Sequence, residues 1–197
     1  MSFLYYYPNR PTLIPPDPDN PLNPKPDLLN SLEKSGKYLA ELKENGDNLL
    51  IYTEGMKFWN RHKELHRYTP TPEVTEELNR LPAKSIINAE LVHFKTKTIK
   101  HRILVHCIMA YKGNLLTGKT WNDSRHILED LDCYGSHLVL SPVWTSGFWD
   151  LFQTADVSTV EGLVLKDPSG KLQFSTTPLK DVNWMLKVRK PCKKYQF

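Results

Sequence analysis

Glu161-Gly162-Leu163-Val164-Leu165-Lys166 is the stretch on which the fold turns. Three apolar residues between a carboxylate and an ammonium read as one buried strand. Asp167-Pro168-Ser169-Gly170 follows as the turn that ends it. A carboxylate at one end of such a strand and a lysine at the other reach the mouth of one pocket. The carboxylate suits a hard cation, and the lysine suits a phosphate. Taken alone, the stretch is equally a core strand with charged ends.

Downstream, Trp184-Met185-Leu186-Lys187-Val188-Arg189 reads as the last strand. Lys187 and Arg189 are two residues apart and share a face. Two cations on one face of an apolar strand sit either beside a phosphate or on a polar edge. Upstream, Glu41-Leu42-Lys43-Glu44-Asn45-Gly46-Asp47-Asn48 puts a lysine at a strand end, just before a glycine turn. A lysine nucleophile acts deprotonated, which takes desolvation or neighbouring cations. Without that context, Lys43 is an exposed lysine in a hairpin turn.

The pattern between these segments is strand-rich. Residues 38–42 and 48–53 read as strands on either side of the polar turn, and Lys57-Phe58-Trp59-Asn60 as a strand after the turn at Glu54-Gly55. Residues 85–94 and 102–111 are two further strands, the second largely buried. Helices are expected over residues 27–37, over 72–80 with Thr71 as N-cap, over 122–131 from an Asn122/Asp123 start, and over 146–155. Residues 1–28 hold eight of the fifteen prolines and read as an extended arm, with Tyr5, Tyr6 and Tyr7 anchoring it to a body of residues 29–197.

Composition sets the class. The chain has 197 residues, 40% of them hydrophobic and 24% charged, which suits one domain with a real core. The net charge of +4 permits a polyanionic partner without requiring one. Three widely spaced cysteines, Cys107, Cys133 and Cys192, form neither a disulfide framework nor a zinc motif. With no signal-peptide pattern and no apolar run of spanning length, the expectation is a monomer in the reducing cytoplasm that meets no membrane.

The three charged segments, in this order, resemble the covalent nucleotidyltransferase superfamily of DNA ligases, RNA ligases and mRNA capping enzymes. Lys43-Glu44-Asn45-Gly46 is similar to the first motif of that family, Lys-x-Asp-Gly, in a variant form. Phe58-Trp59-Asn60-Arg61 resembles the next, a strand ending in arginine. Asn88-Ala89-Glu90-Leu91 keeps the Glu-Leu of the third, Asp-Gly-Glu-Leu, and loses its Asp-Gly. His106-Cys107-Ile108-Met109 stands where the family usually has Phe-Asp-Ile-Leu. Glu161–Lys166 and Lys187-Val188-Arg189 resemble the fourth and fifth motifs. The resemblance spans about residues 38–190.

It implies an α+β nucleotidyltransferase (ATP-grasp-like ligase adenylation) domain. Two antiparallel sheets with flanking helices surround a nucleotide cleft; the eight residues after Arg189 do not hold the usual OB-fold domain, so the expectation is a minimal ligase, a domain of a longer protein, or one that relies on its arm or a partner to hold nucleic acid. It implies an ATP- and Mg²⁺-dependent polynucleotide ligase that joins RNA or DNA ends. Lys43 takes AMP, and Lys187 and Arg189 stabilise the α-phosphate. Glu161 holds Mg²⁺ with help from Glu90, and Lys166 assists near the adenylate. The backbone at Glu41 and Leu42 reads the adenine edge. Asn48 contacts ribose, Arg61 binds ribose or a phosphate, and His106 stacks on adenine unless it is a core histidine.

Asn48 and Asn45 favour an RNA ligase. A minimal DNA ligase, a scaffold that binds nucleic acid without sealing it, and a capping-type guanylyltransferase remain as alternatives. Smaller features keep two readings each. The aromatic run Trp144, Phe148, Trp149 and Phe152 is core or a stacking platform. Lys95, Lys97, Lys100, His101 and Arg102 track a phosphate backbone or form a solvated loop. Arg125 packs or makes a salt bridge. Lys190, Lys193 and Lys194 form a basic tail within reach of nucleic acid.

Overall fold

The structure is a computed structural model and describes residues 4–15 and 26–190. In chain order the elements are β1 (Arg10–Leu13), α1 (Pro26–Lys34), β2 (Leu39–Glu44), β3 (Asp47–Tyr52), β4 (Lys57–Trp59), α2 (Pro72–Asn79) and β5 (Ile86–Val92). They continue with β6 (Arg102–Tyr111), β7 (Asn114–Leu115), α3 (Trp121–Glu129), β8 (Leu138–Leu140), α4 (Phe148–Thr154), β9 (Val160–Lys166) and β10 (Asp181–Arg189). The described residues form two compact units. One comprises the residues up to Asn9, Gly46–Ser141 and Lys171–Lys180. The other comprises Arg10–Asn45, Pro142–Gly170 and the residues from Asp181 on.

The first unit is built on a six-stranded sheet, in order β4-β3-β5-β6-β7, with β8 beside β6. Its central strand β5 alternates. Ile87, Ala89 and Leu91 are fully buried, while Asn88 and Glu90 between them are half-buried, as a period of two requires. Two register shifts interrupt the β5–β6 ladder. Helix α3 packs on β6, where the buried Ser124 hydroxyl bonds both the N–H (3.0 Å) and the C=O (3.1 Å) of Ile108. Buried backbone groups at a disturbed ladder need such a partner. Residues 4–9 also belong here. Tyr5 is 1% exposed, and its hydroxyl donates to Asn60 O at 2.8 Å. The tyrosine anchor is therefore observed for Tyr5.

The second unit holds a four-stranded sheet, in order β1-β10-β9-β2. Leu29 of α1, Phe148 and Phe152 of α4, and Ala40, Leu163, Leu165 and Val188 of the sheet form one core cluster. Each large side chain there contributes about 1.5–3 kcal/mol by leaving water. Glu33 of α1 accepts from the N–H groups of Gly147 and Phe148, both at 2.9 Å, and so ties α1 to the start of α4. These two donors, Gly147 first, hold its carboxyl below the usual carboxylate range.

Four expectations change. Residues 38–42 and 48–53 are not hairpin partners: β2 pairs only with β9 among the named strands, and β3 pairs with β4 and β5 in the other sheet. Both sheets carry one parallel pair, β1 with β10 and β8 with β6. Part of the proline-rich arm, Arg10–Leu13, is thus an edge strand, the position in which proline is tolerated. Helix α3 starts at Trp121, because Thr120 is the N-cap: its hydroxyl accepts from the Asp123 N–H while Asp123 accepts from the Thr120 N–H. As expected, Phe148 and Phe152 are core; Trp144 makes an isolated antiparallel bridge with Ala40. The α2 cap at Thr71 and the Glu54-Gly55 turn are as expected. Cys192, Lys193 and Lys194 lie outside the described residues.

Candidate active site

The second unit gathers seven of the eleven expected site residues on one sheet: Glu41, Leu42, Lys43, Glu161, Lys166, Lys187 and Arg189. In the ladder, Lys43 and Arg189 both lie opposite Gly162, on its two sides, and Glu41 and Lys187 both lie opposite Val164. Directly opposite residues share a face. Glu41, Lys43, Lys166, Lys187 and Arg189 therefore project from one side of the sheet. Leu42, Leu163, Leu165, Leu186 and Val188 project from the other, into the core cluster. An apolar-cationic alternation in sequence thus becomes a cationic face over an apolar one.

Glu161 reaches the same face by a bulge. Lys43 pairs with Gly162 and Glu44 with Val160, so Glu161 is an extra residue with no Cα partner on β2. A bulge turns such a side chain away from its regular direction. The Glu161 carboxylate accepts from Lys43 Nζ, and its Oε2 lies 3.9 Å from Arg189 Nε. Gly162 makes this possible. Its φ is +148°, and a Cβ there would stand 1.9 Å from the carbonyl oxygen of Val188.

The cations are not equivalent. Lys166 donates to Glu41 at 2.7 Å, with both side chains almost fully buried. Lys187 faces Asp181 at 3.9 Å, and Asp181 also pairs with Arg10 of the edge strand at 3.2 Å. Burial pushes the Lys187 ammonium below its usual range, with Arg189, Arg10 and Lys43 acting the same way and Asp181 opposing. Lys190 donates to the carbonyls of Gln153 (3.1 Å) and Ala155 (2.5 Å), so it closes the end of α4.

Asn48, Arg61, Glu90 and His106 belong to the first unit. Glu90 Oε1 accepts from the Gly46 N–H at 3.1 Å. A Cβ on Gly46 would stand 2.6 Å from the Leu91 carbonyl oxygen, so the glycine of the first motif is set by this close approach. Asn48 Nδ2 donates to Asn88 Oδ1 at 2.8 Å, while its own Oδ1 is buried with no partner among the described residues. His106 sits at a register shift: Asn88 pairs with Cys107 and Ala89 with Val105, which leaves His106 as the extra residue. Arg61 lies in an exposed turn after β4, and its Nε donates to the neighbouring His62 at 3.2 Å. Arg125 donates to Ser141 O at 2.6 Å and pairs with Glu129 at 2.7 Å, a packing role.

Sequence reasoning missed Asp181, Arg10 and Asn88. Each matters through a cross-strand partner far away in the chain, and no local pattern marks it. The bulge at Glu161 had a signal, since an isolated glycine inside a strand marks a bulge or a close approach.

The sequence matches no family model and no curated protein. The structure does match solved structures. A Lig E DNA ligase, described as binding DNA with a minimal scaffold, matches with a TM-score of 0.58 and 12% identity over 79% of this chain. The chain has the fold of a ligase domain. The ligase domain of LigD from M. tuberculosis matches with a TM-score of 0.60 and 16% identity over 77% of this chain. The mycobacterial DNA ligase D complexed with ATP and MES matches with a TM-score of 0.56 and 15% identity over 92% of this chain. The chain spans 62%, 53% and 60% of the length of these three structures. No helix among the described residues is long and apolar enough to cross a membrane.

Proposed function

We propose that the chain is the adenylation domain of an ATP-dependent polynucleotide ligase, with residues 1–28 as an N-terminal arm that contributes the edge strand β1 to it, and that it acts as a monomer on RNA or DNA ends in the cytoplasm. The supporting observation is the group around Gly162: Lys43, Glu161, Lys187 and Arg189 on one face of one sheet. The ligase-domain fold is that of proteins named as DNA ligases, one of them complexed with ATP.

In this reading the Lys43 amine attacks the α-phosphorus of ATP. An N–P bond forms, the P–O bond to pyrophosphate breaks, and the amine proton leaves to solvent or to the departing pyrophosphate. Lys187 and Arg189, two residues apart on a strand paired with β9, would meet the charge on the α-phosphate. The partner of Lys187 on Asp181 is 3.9 Å away, loose enough to yield to a phosphate. Lys166 holds Glu41, and through it the strand that carries Lys43. Ala40 exchanges backbone bonds with Trp144, away from β9. The Leu42 backbone, two residues on, points the same way and suits the edge of an adenine. The open acceptor of Asn48 suits a ribose hydroxyl. Arg61 is assigned to a phosphate and His106 to the adenine face.

Mg²⁺ fits the donors present. It takes one or two carboxylates plus substrate phosphates rather than a full protein cage. Glu161 would be such a carboxylate on the face that carries Lys43. The ion would supply charge neutralisation on the triphosphate.

RNA ends are favoured by Asn48 and Asn45, and DNA ends by the names of the solved structures. Two experiments test the reading. Label from the α-phosphate of ATP, but not from GTP, passes to the protein with Mg²⁺. Adenylated protein then seals a nick whose 3′-hydroxyl strand is RNA in preference to DNA. Label transfer with no sealing of either substrate supports the scaffold reading, and no transfer at all overturns the ligase reading.

A further inference from the structure

Two short segments of the first unit stand apart in charge. Residues 62–68 and 93–102 hold six of the 26 Lys and Arg of the chain and one of its 22 Asp and Glu, Glu64. They carry +5 where the whole chain carries +4, so the remaining residues sum to −1. Four of the seven histidines are here too.

The segments pack on each other through rings. Tyr68 is 4% exposed, its ring lies 5.5 Å from His93 and 5.7 Å from His101, and its hydroxyl meets His101 Nδ1 at 3.1 Å. Outside this buried seam, the Arg67 guanidinium lies 4.3 Å from the centre of the Phe94 ring, and the His66 ring lies 6.1 Å from it. Phe94 is 38% exposed, the one aromatic among the exposed large apolar side chains of the described residues.

Two cations already have partners within the first unit. Lys95 pairs with Asp47 at 3.2 Å, and Lys100 donates to the carbonyls of His93 and Thr96, both at 2.7 Å. Lys63, Arg67 and Lys97 are exposed and have no carboxylate partner among the described residues. Solvated cations around a partly exposed aromatic ring, with Arg67 over it and the His93 ring against it at 4.5 Å, match a phosphodiester chain with unstacked bases. The charge tracks the backbone, and the ring takes any base by its π-face.

We propose that this surface holds a single-stranded stretch of nucleic acid. A base stacks on Phe94 and Arg67, and the phosphates run past Lys63 and Lys97. A paired base is already stacked within its duplex and has no face to offer Phe94. The inference stands on this surface alone and needs no chemistry at Lys43.

The test is fluorescence anisotropy on the full chain, in EDTA and without ATP, using a labelled oligothymidylate, the same length of oligouridylate, and a blunt duplex. The parent is expected to bind both single strands more tightly than the duplex, with affinity falling as salt rises. Phe94→Leu and Phe94→Ala are expected to weaken binding by about 5- to 100-fold. Lys63→Glu with Lys97→Glu weakens it and flattens the salt dependence. Lys180→Glu, an exposed lysine elsewhere, changes it little. Thermal unfolding confirms that each variant is folded. The proposal is overturned if the parent binds neither single strand, if the duplex is preferred, if folded Phe94 and Lys63/Lys97 variants bind like the parent, or if phosphatidylserine vesicles compete the strand away. Strand binding by a protein that accepts no AMP overturns the ligase reading alone, and adenylation without strand binding overturns this one alone.

Discussion

Lys43 Nζ donates to Glu161 across a bulge in which Glu161 has no Cα partner of its own on β2. The ion pair exists because one residue is squeezed out of the β9 ladder and its neighbour is a glycine. Regular alternation would send the Glu161 carboxylate toward the core, with Leu163 and Leu165. The bulge brings it instead to the face that carries Lys43, Lys187 and Arg189.

Gly162 is therefore expected to be intolerant of any side chain. Gly162→Ala must relieve a Cβ placed 1.9 Å from Val188 O and 2.9 Å from Arg189 Cα at a φ of +148°. The expected loss is about 2–4 kcal/mol of unfolding free energy, read from urea denaturation. The phosphate-facing cations should move with the strand, so adenylation should fall further than stability alone explains. A folded Gly162→Ala protein with full activity would contradict the bulge account.

Glu77 anchors a loop rather than a ligand. Its carboxylate accepts from the backbone N–H groups of Ser136 (3.0 Å), His137 (3.1 Å) and Leu138 (2.5 Å). Burial pushes its acid up, but these donors and the nearby His137 outweigh burial, so it sits below the usual carboxylate range. Glu77→Ala leaves three donors without an acceptor and should cost about 2–3 kcal/mol, with Glu77→Gln costing less. A folded-state value below the unfolded one means that this stability is present above the ordinary value of 4.5 and is lost as pH falls below it. Chemical denaturation at several pH values checks both, and an acid-insensitive Glu77→Ala difference would contradict the assignment.

The histidines add a separate pH dependence. Burial first, then His101 and Lys100, hold His93 below its usual range, and its Nδ1 accepts from the His101 N–H at 3.2 Å. Burial also lowers His66, with Arg67 acting the same way and Asp47 opposing. Lowered folded values favour protons on the unfolded chain. The stability they confer is present above the ordinary value of 6.5 and falls as pH drops below it. The melting temperature should decline between about pH 7.5 and pH 5.5, and less so in His93→Gln. A flat profile in that window contradicts this.

Much of this was legible in residue order. The alternation of Ile87, Ala89 and Leu91 with Asn88 and Glu90 places β5 and its polar face, and Thr71 with Pro72 marks the start of α2. The cationic face of β10 follows from the spacing of Lys187 and Arg189 alone. Pairing was not legible. The polar turn at Lys43–Asn48 looks like a hairpin, yet its two strands join different sheets, because β2 finds β9 more than a hundred residues later. Nor does any local signal show that Arg10 meets Asp181 or that Asn48 meets Asn88, since these contacts come from strand order.

The most direct test is to locate the adenylate. The protein is incubated with ATP and Mg²⁺, digested, and sequenced by mass spectrometry beside Lys43→Ala and Lys43→Arg. AMP on the peptide that contains Lys43, with none on Lys166 or Lys187 and none in either variant, is the predicted result. AMP on another residue, or an adduct that survives Lys43→Ala, would contradict the assignment of Lys43 as the nucleophile.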